Sequence, residues 1–223
     1  MMSNAVKRLI ALAASVAIIG VAYYGSYLPM KKSQAFIEGM RKLASVGTIG
    51  EFKDLFSAIL AIPSPIGQEE LVRHLTSSVT PFLSNEKNAD VVPTVVEYVE
   101  NNYRSIMDRG TGMSFTQNIF VLATMYQTAF VRTGDVRYLE AAKENYIRGL
   151  ALAPNRPQFL YGLFDVYRMI GDKESLLGIK ATIMKNWPDD DRVGPATDDF
   201  IKRVDEFERV NGPISPKNIK PQP

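Results

Sequence analysis

The sequence predicts an all-α protein, a solenoid of helical hairpins behind one N-terminal transmembrane helix. Three observations carry that expectation. Beyond Lys32, apolar residues recur at three- and four-residue spacing between short Gly and Pro breaks. The form Ala153-Pro154-Asn155-Arg156 returns as Trp187-Pro188-Asp189-Asp190, with a 34-residue step from Pro154 to Pro188. From Leu9 to Leu28 the chain carries no charge, and a helix of about twenty residues spans a hydrocarbon core of roughly 30 Å.

The N-terminal elements follow from that uncharged run. Residues 1–8 form a short tail and 9–30 an anchor, bracketed by Lys7 and Arg8 before it and Lys31 and Lys32 after it. Tyr23, Tyr24 and Tyr27 cluster at its distal end, where amphipathic rings favour the membrane interface. Gly20-Val21-Ala22 also fits the small-residue pattern of a signal-peptidase site. The apolar run continues past it to Leu28, so a retained anchor is expected. The flanking charges are too evenly matched to orient the span.

Helices are predicted at 33–46, 51–62, 67–84, 91–109, 115–133, 136–152, 157–170, 173–187 and 195–210. No segment alternates as a strand. Val91-Val92-Pro93-Thr94-Val95-Val96 has strand-like residue types, but Pro93 would remove a ladder donor and suits a first helical turn. Residues 33–110 are read as a helical region with a degenerate repeat, 115–210 as regular repeats with a capping helix, and 211–223 as a disordered Pro-rich tail.

Composition then removes several chemistries. The 223 residues include no Cys and one His, which leaves no thiol nucleophile, no disulfide framework and no multi-His metal site. His74 shares a helix face with Glu70 at i,i+4, but two ligands do not enclose a metal, and it is read as a surface histidine. Asp189-Asp190-Asp191 lacks the Gly and distal Glu of a calcium loop and is read as helix capping. No metal and no cofactor are expected. The formal net charge is +2, from 26 basic and 24 acidic residues; setting aside Lys7, Arg8, Lys31 and Lys32 leaves 22 basic residues, so the body is slightly acidic. There is no basic stripe with interleaved aromatics, and no nucleic-acid partner is expected.

The repeat has a recognisable order. Tyr161, Leu163 and Tyr167 lie on a first helix, Gly171-Asp172 makes the turn, and Leu176, Ile179 and Ile183 line a second helix that ends before Pro188. The preceding unit repeats the order with Phe130, Gly134-Asp135, Ala142, Tyr146 and Gly149 before Pro154, and carries about three extra residues after Gly134. This pattern resembles the tetratricopeptide repeat, whose period is about 34 residues. The resemblance is specific over 115–190. It implies small residues at Ala142 and Gly149 where helices approach closely, and a polar terminal helix such as 195–210 with its Asp198, Asp199, Asp205, Glu206 and Glu208.

A broader resemblance extends loosely over 10–190. The apolar span, a polar helix, Glu51 to Leu60 leading to Pro63-Ser64-Pro65-Ile66-Gly67, and Thr133-Gly134-Asp135 through Pro157 are similar to the tetratricopeptide-bearing region after the last transmembrane helix of O-antigen ligase/polymerase-family proteins. In that family the multi-helix membrane portion performs glycan transfer. The resemblance implies an extracytoplasmic interaction or regulatory region, either a stand-alone tethered module or the accessory tail of such an enzyme. One span cannot supply the catalytic part, so this chain is not expected to be an enzyme; a cleaved secreted enzyme using carboxylates is the least favoured reading.

Tetratricopeptide arrays bind partners in a groove lined by the first helix of each repeat. The register set by Gly171 directs Gln158, Tyr161, Asp165 and Arg168 toward that groove, with Thr124, Thr128 and Arg132 beside them. These residues are the candidate site for a protein or peptide partner. Asp165 and Arg168 also form an i,i+3 pair that a solvated helix would carry without any partner. Trp187, Tyr161, Phe164 and Tyr167 are read as packing between repeats. The expected function is a membrane-anchored interaction scaffold attached through residues 9–30, in cell-envelope or surface-glycan assembly.

Overall fold

The computed structural model describes residues 3–84 and 86–212. Every regular element among them is helical, in the order α1 (Asn4–Ala22), α2 (Leu28–Lys42), α3 (Ile49–Leu60), α4 (Gln68–Leu83), α5 (Val92–Arg109), α6 (Phe115–Thr133), α7 (Val136–Leu152), α8 (Pro157–Ile170), α9 (Lys173–Asn186) and α10 (Val193–Asn211). The described chain forms two compact units, Met1–His74 and Leu75–Pro223, divided within α4. The predicted tail lies outside the described residues beyond Gly212.

In the first unit α1 and α2 join through a π-helical turn at Tyr23–Tyr27 into one helix, Asn4–Lys42, which is long and apolar enough to cross a membrane. None of the residues of α1 is buried. The sequence had placed a helix break between the anchor and residue 33, and the structure corrects this. Pro29 lacks an N–H and would crowd the carbonyl of Gly25 in a regular helix. The wider turn, in which the Leu28 N–H reaches back to the Tyr23 carbonyl, absorbs the proline without ending the helix. Met30 to Ser33 contain no other breaker.

The pairing of Lys31 and Lys32 as flanking charges is also corrected. Lys31 is exposed, whereas Lys32 is only 4% exposed. Lys32, Phe36 and Gly39 fall at i, i+4 and i+7 and share one helix face, which packs on α3. A β-carbon at Gly39 would stand 2.4 Å from Ile59 Cδ1, so the glycine sets the close approach of the two helices. Phe36, Phe52, Phe56, Ile59 and Leu60 form the buried side of this pair. Lys32 Nζ donates to the carbonyls of Leu60 at 2.9 Å and Ile62 at 2.8 Å and to the Gln68 side chain. Carbonyls at a helix end have no intrahelical donor, so one ammonium closes the end of α3. The start of α3 is closed by a capping box between Thr48 and Glu51.

In the second unit the helices pack in succession, α5 on α6, α6 on α7, α7 on α8, α8 on α9 and α9 on α10, and α6 also touches α8. Pro93 occupies the first turn of α5, as its missing donor requires. Both hairpin turns are built alike. Gly134 ends α6 at φ 69° and Gly171 ends α8 at φ 83°, a left-handed conformation that a β-carbon would penalise. Asp135 and Asp172 follow and cap the next helices through the N–H groups of Arg137 and Ser175. The extra residues of the earlier unit lie in its second helix, since α7 has 17 residues and α9 has 14.

The hairpins interlock through reciprocal small and large residues. Gly149 on α7 faces Phe159 on α8, and Gly162 on α8 faces Tyr146 on α7. Beyond them Leu160, Phe164, Leu176, Ile183, Val193, Phe200 and Val204 form one buried cluster, with Tyr161, Tyr167 and Trp187 packed against it. The aromatics therefore pack between helices as their spacing implied.

Candidate interaction surface

The predicted groove residues lie on α6 and α8, whose shared neighbour is α7. Thr124 is half-buried; its hydroxyl donates to the Phe120 carbonyl at 3.0 Å and lies 3.4 Å from the Tyr146 hydroxyl. Thr128 donates to the Thr124 carbonyl at 2.9 Å. Both threonines thus bond back to their own helix, the usual recourse of a mid-helix hydroxyl. Arg132 is half-buried in the last turn of α6, where positive charge suits the helix dipole.

On α8, Gln158 is exposed and Asp165 pairs with Arg168 at 3.2 Å. Partial burial pushes the Asp165 carboxyl up, and Arg168 offsets part of that. The Arg168 guanidinium also lies 5.8 Å from the Phe164 ring centre. Tyr161 turns toward the segment between α9 and α10. Its hydroxyl donates to Asp190, its ring lies 6.2 Å from Trp187, and the Arg192 guanidinium sits 4.9 Å from the ring centre. Asp190 in turn accepts from the N–H groups of Arg192 and Val193, each at 2.9 Å, and holds the start of α10. These bonds lower its carboxyl to about 2, with the Tyr161 hydroxyl the largest cause. The capping expected of the Asp189–Asp191 run is therefore performed by Asp190.

Two residues that the candidate site left out, Tyr146 and Arg156, tie α6 to its neighbours. Tyr146 is 2% exposed; its hydroxyl donates to Gln127 at 2.9 Å, and burial pushes it up to about 12, assisted by the charge of Asp165. Tyr146, on α7, therefore reaches Gln127 and Thr124 on α6 and packs over Gly162 on α8. Arg156, at the start of α8, reaches the first turn of α6, where it donates to Thr116 at 2.7 Å and to Gln117. An arginine beside a Pro-bounded turn was the available signal for the second link. Tyr146 was legible as a repeat position, but its bond to Gln127, 19 residues away, has no local signal.

The surface offers hydroxyl, amide, carboxylate and guanidinium groups spread over two helices. His74 is exposed on α4, and no cluster of metal-ligating side chains occurs among the described residues. No family model, curated protein or solved structure matches the chain.

Proposed function

We propose that this chain is a single-pass membrane protein that displays a tetratricopeptide-like solenoid as a protein-interaction scaffold. The observation that carries the reading is the repeated hairpin: a left-handed Gly, a capping Asp, a second helix and a proline, twice in succession. Stacked hairpins of this kind leave one helix face of each unit open along a continuous surface. The partner is a protein or peptide received by Gln158, Asp165 and Arg168 on α8 together with Thr124, Thr128 and Arg132 on α6. Tyr161 contributes at the edge, held by Asp190.

The extracytoplasmic placement and the role in cell-envelope or surface-glycan assembly rest on the resemblance in segment order described above. A photo-crosslinking residue at exposed Gln158 of the full-length protein in its native membrane tests the groove. A specific adduct is expected, weakened by Arg132→Glu together with Arg168→Glu. An adduct unaffected by both reversals removes this surface from the proposal.

The same segment order favours a second reading, in which the chain is the accessory tail of an O-antigen ligase/polymerase-type enzyme. An antibody against the repeats distinguishes the two in native membranes. The scaffold runs at the chain's own 24.9 kDa; the tail runs with a far larger polytopic protein.

A further inference from the structure

Away from the groove, α5, α6 and α7 enclose a cleft of about 260 Å³, walled by Glu97, Glu100, Tyr126 and Tyr138 with Pro93 and Arg137 at its rim. Its volume falls below the roughly 300–1,000 Å³ of small-molecule sites, which limits the occupant to about one long side chain. The two tyrosine rings lie 6.4 Å apart and nearly parallel, 18° between planes. Tyr126 is fixed by donating its hydroxyl to Glu100 at 2.8 Å. Glu97 is exposed and enters no ion pair among the described residues.

The one cation at the rim is already committed. Arg137 pairs with Asp135 through Nε and Nη2, at 3.0 and 2.5 Å. The lining therefore carries two carboxylates against one paired cation. Beyond burial, the carboxylates of Asp135 and Glu100 push the Tyr138 hydroxyl up, and Arg137 offsets this only as the smallest cause. An uncommitted carboxylate, a second carboxylate held by a phenol, and an aromatic face form the surroundings that a planar cation prefers.

We infer that the cleft between α5, α6 and α7 binds an arginine side chain of a partner protein, with its guanidinium on the Tyr138 ring and its N–H groups directed to Glu97 and Glu100. Arginine fits better than lysine because its planar fork can stack on a ring and bond a carboxylate at the same time. The site is independent of the groove on α6 and α8, so failure of the groove test leaves it standing.

The test uses the full-length chain in detergent micelles, labelled with 3-fluorotyrosine. The peptide acetyl-Gly-Gly-Arg-Gly-Gly-amide is titrated in and followed by fluorine NMR, with the Tyr138 signal assigned by its loss in Tyr138→Phe. The Tyr138 signal is expected to shift with the arginine peptide. Binding of the isosteric but neutral citrulline peptide is expected to be about fivefold to tenfold weaker, as is arginine binding to Glu97→Gln/Glu100→Gln. Arg132→Glu/Arg168→Glu should bind the peptide as the parent does. Equal binding of the two peptides, or no shift of Tyr138 with either, overturns the proposal. So does a Glu97- and Glu100-dependent dimer that excludes the peptide, because it gives the cleft to a second copy.

Discussion

Phe159 occupies the space that a side chain at Gly149 would need: a β-carbon there would stand 2.1 Å from the ring. In an exposed helix, Gly to Ala gains about 1 kcal/mol from helix propensity. Phe159 is fully buried, and overpacking costs about 1–3 kcal/mol. Gly149→Ala should therefore destabilise the repeats, by up to about 2 kcal/mol, in thermal or denaturant unfolding. Trimming the ring in Gly149→Ala/Phe159→Leu should cost less than the sum of the two single changes.

Tyr146 supplies a pH dependence. Its hydroxyl is raised to about 12 in the folded protein from an ordinary value of 10.0. The unfolded chain therefore releases this proton first. The contribution of the neutral buried phenol is complete below pH 10 and lost as pH rises from 10 toward 12. Tyr126 is shifted in the same direction by burial and by Glu100, so it adds to the loss. Unfolding measured from pH 8 to 12 should show falling stability above pH 10, and Tyr146→Phe should flatten that slope by on the order of 1–2 kcal/mol.

At Asp190 the expectation runs the other way. Its carboxyl is held near 2 against an ordinary 3.8, so its contribution is present above pH 4 and fades as pH falls toward 2. Asp190→Ala removes the acceptor for Tyr161 and for the first amides of α10. Hydrogen exchange should rise in α10 and remain unchanged in α6.

Lys32→Met keeps an unbranched, nearly as long apolar side chain and removes three donated bonds. Bonds to charged groups contribute about 1.5–3 kcal/mol each when both partners are well placed. The hydration of the ammonium in the opened state offsets much of that sum. We expect a net loss of about 2 kcal/mol in the protection of the α3 amides, read by hydrogen exchange. Protease cleavage between Ala61 and Gly67 should accelerate alongside. Unaltered protection would mean that the ammonium does not hold the end of α3.

Much of the helix pattern was legible because apolar period, Gly and Pro are local signals; α6, α7 and α8 match their expected bounds residue for residue. Gly149 was legible as a small residue before a proline turn, whereas its counterpart Gly162 was passed over, although an unexplained glycine inside a helix invites a packing reason. The anchor and the helix from residue 33 were read as separate elements, because the π-helical turn that carries one helix through Pro29 has no local signature. Lys32 misled because flanking charges were read by distance along the chain, while a helix turns neighbouring residues to different faces. Of the candidate groove, the helices and register could be read, but the bond from Tyr161 to Asp190 spans 29 residues and has no local signature. The same holds for Tyr126 and Glu100, which lie 26 residues apart.

The fusion of α1 and α2 into one helix of 39 residues has a mechanical consequence. At 1.5 Å per residue it is about 58 Å long, roughly twice the thickness of a hydrocarbon core. In a bilayer it acts as an axle and not as a flexible leash. Lys32 and Gly39 key α3 to its second half, so α3 must follow any rotation or tilt of the long helix.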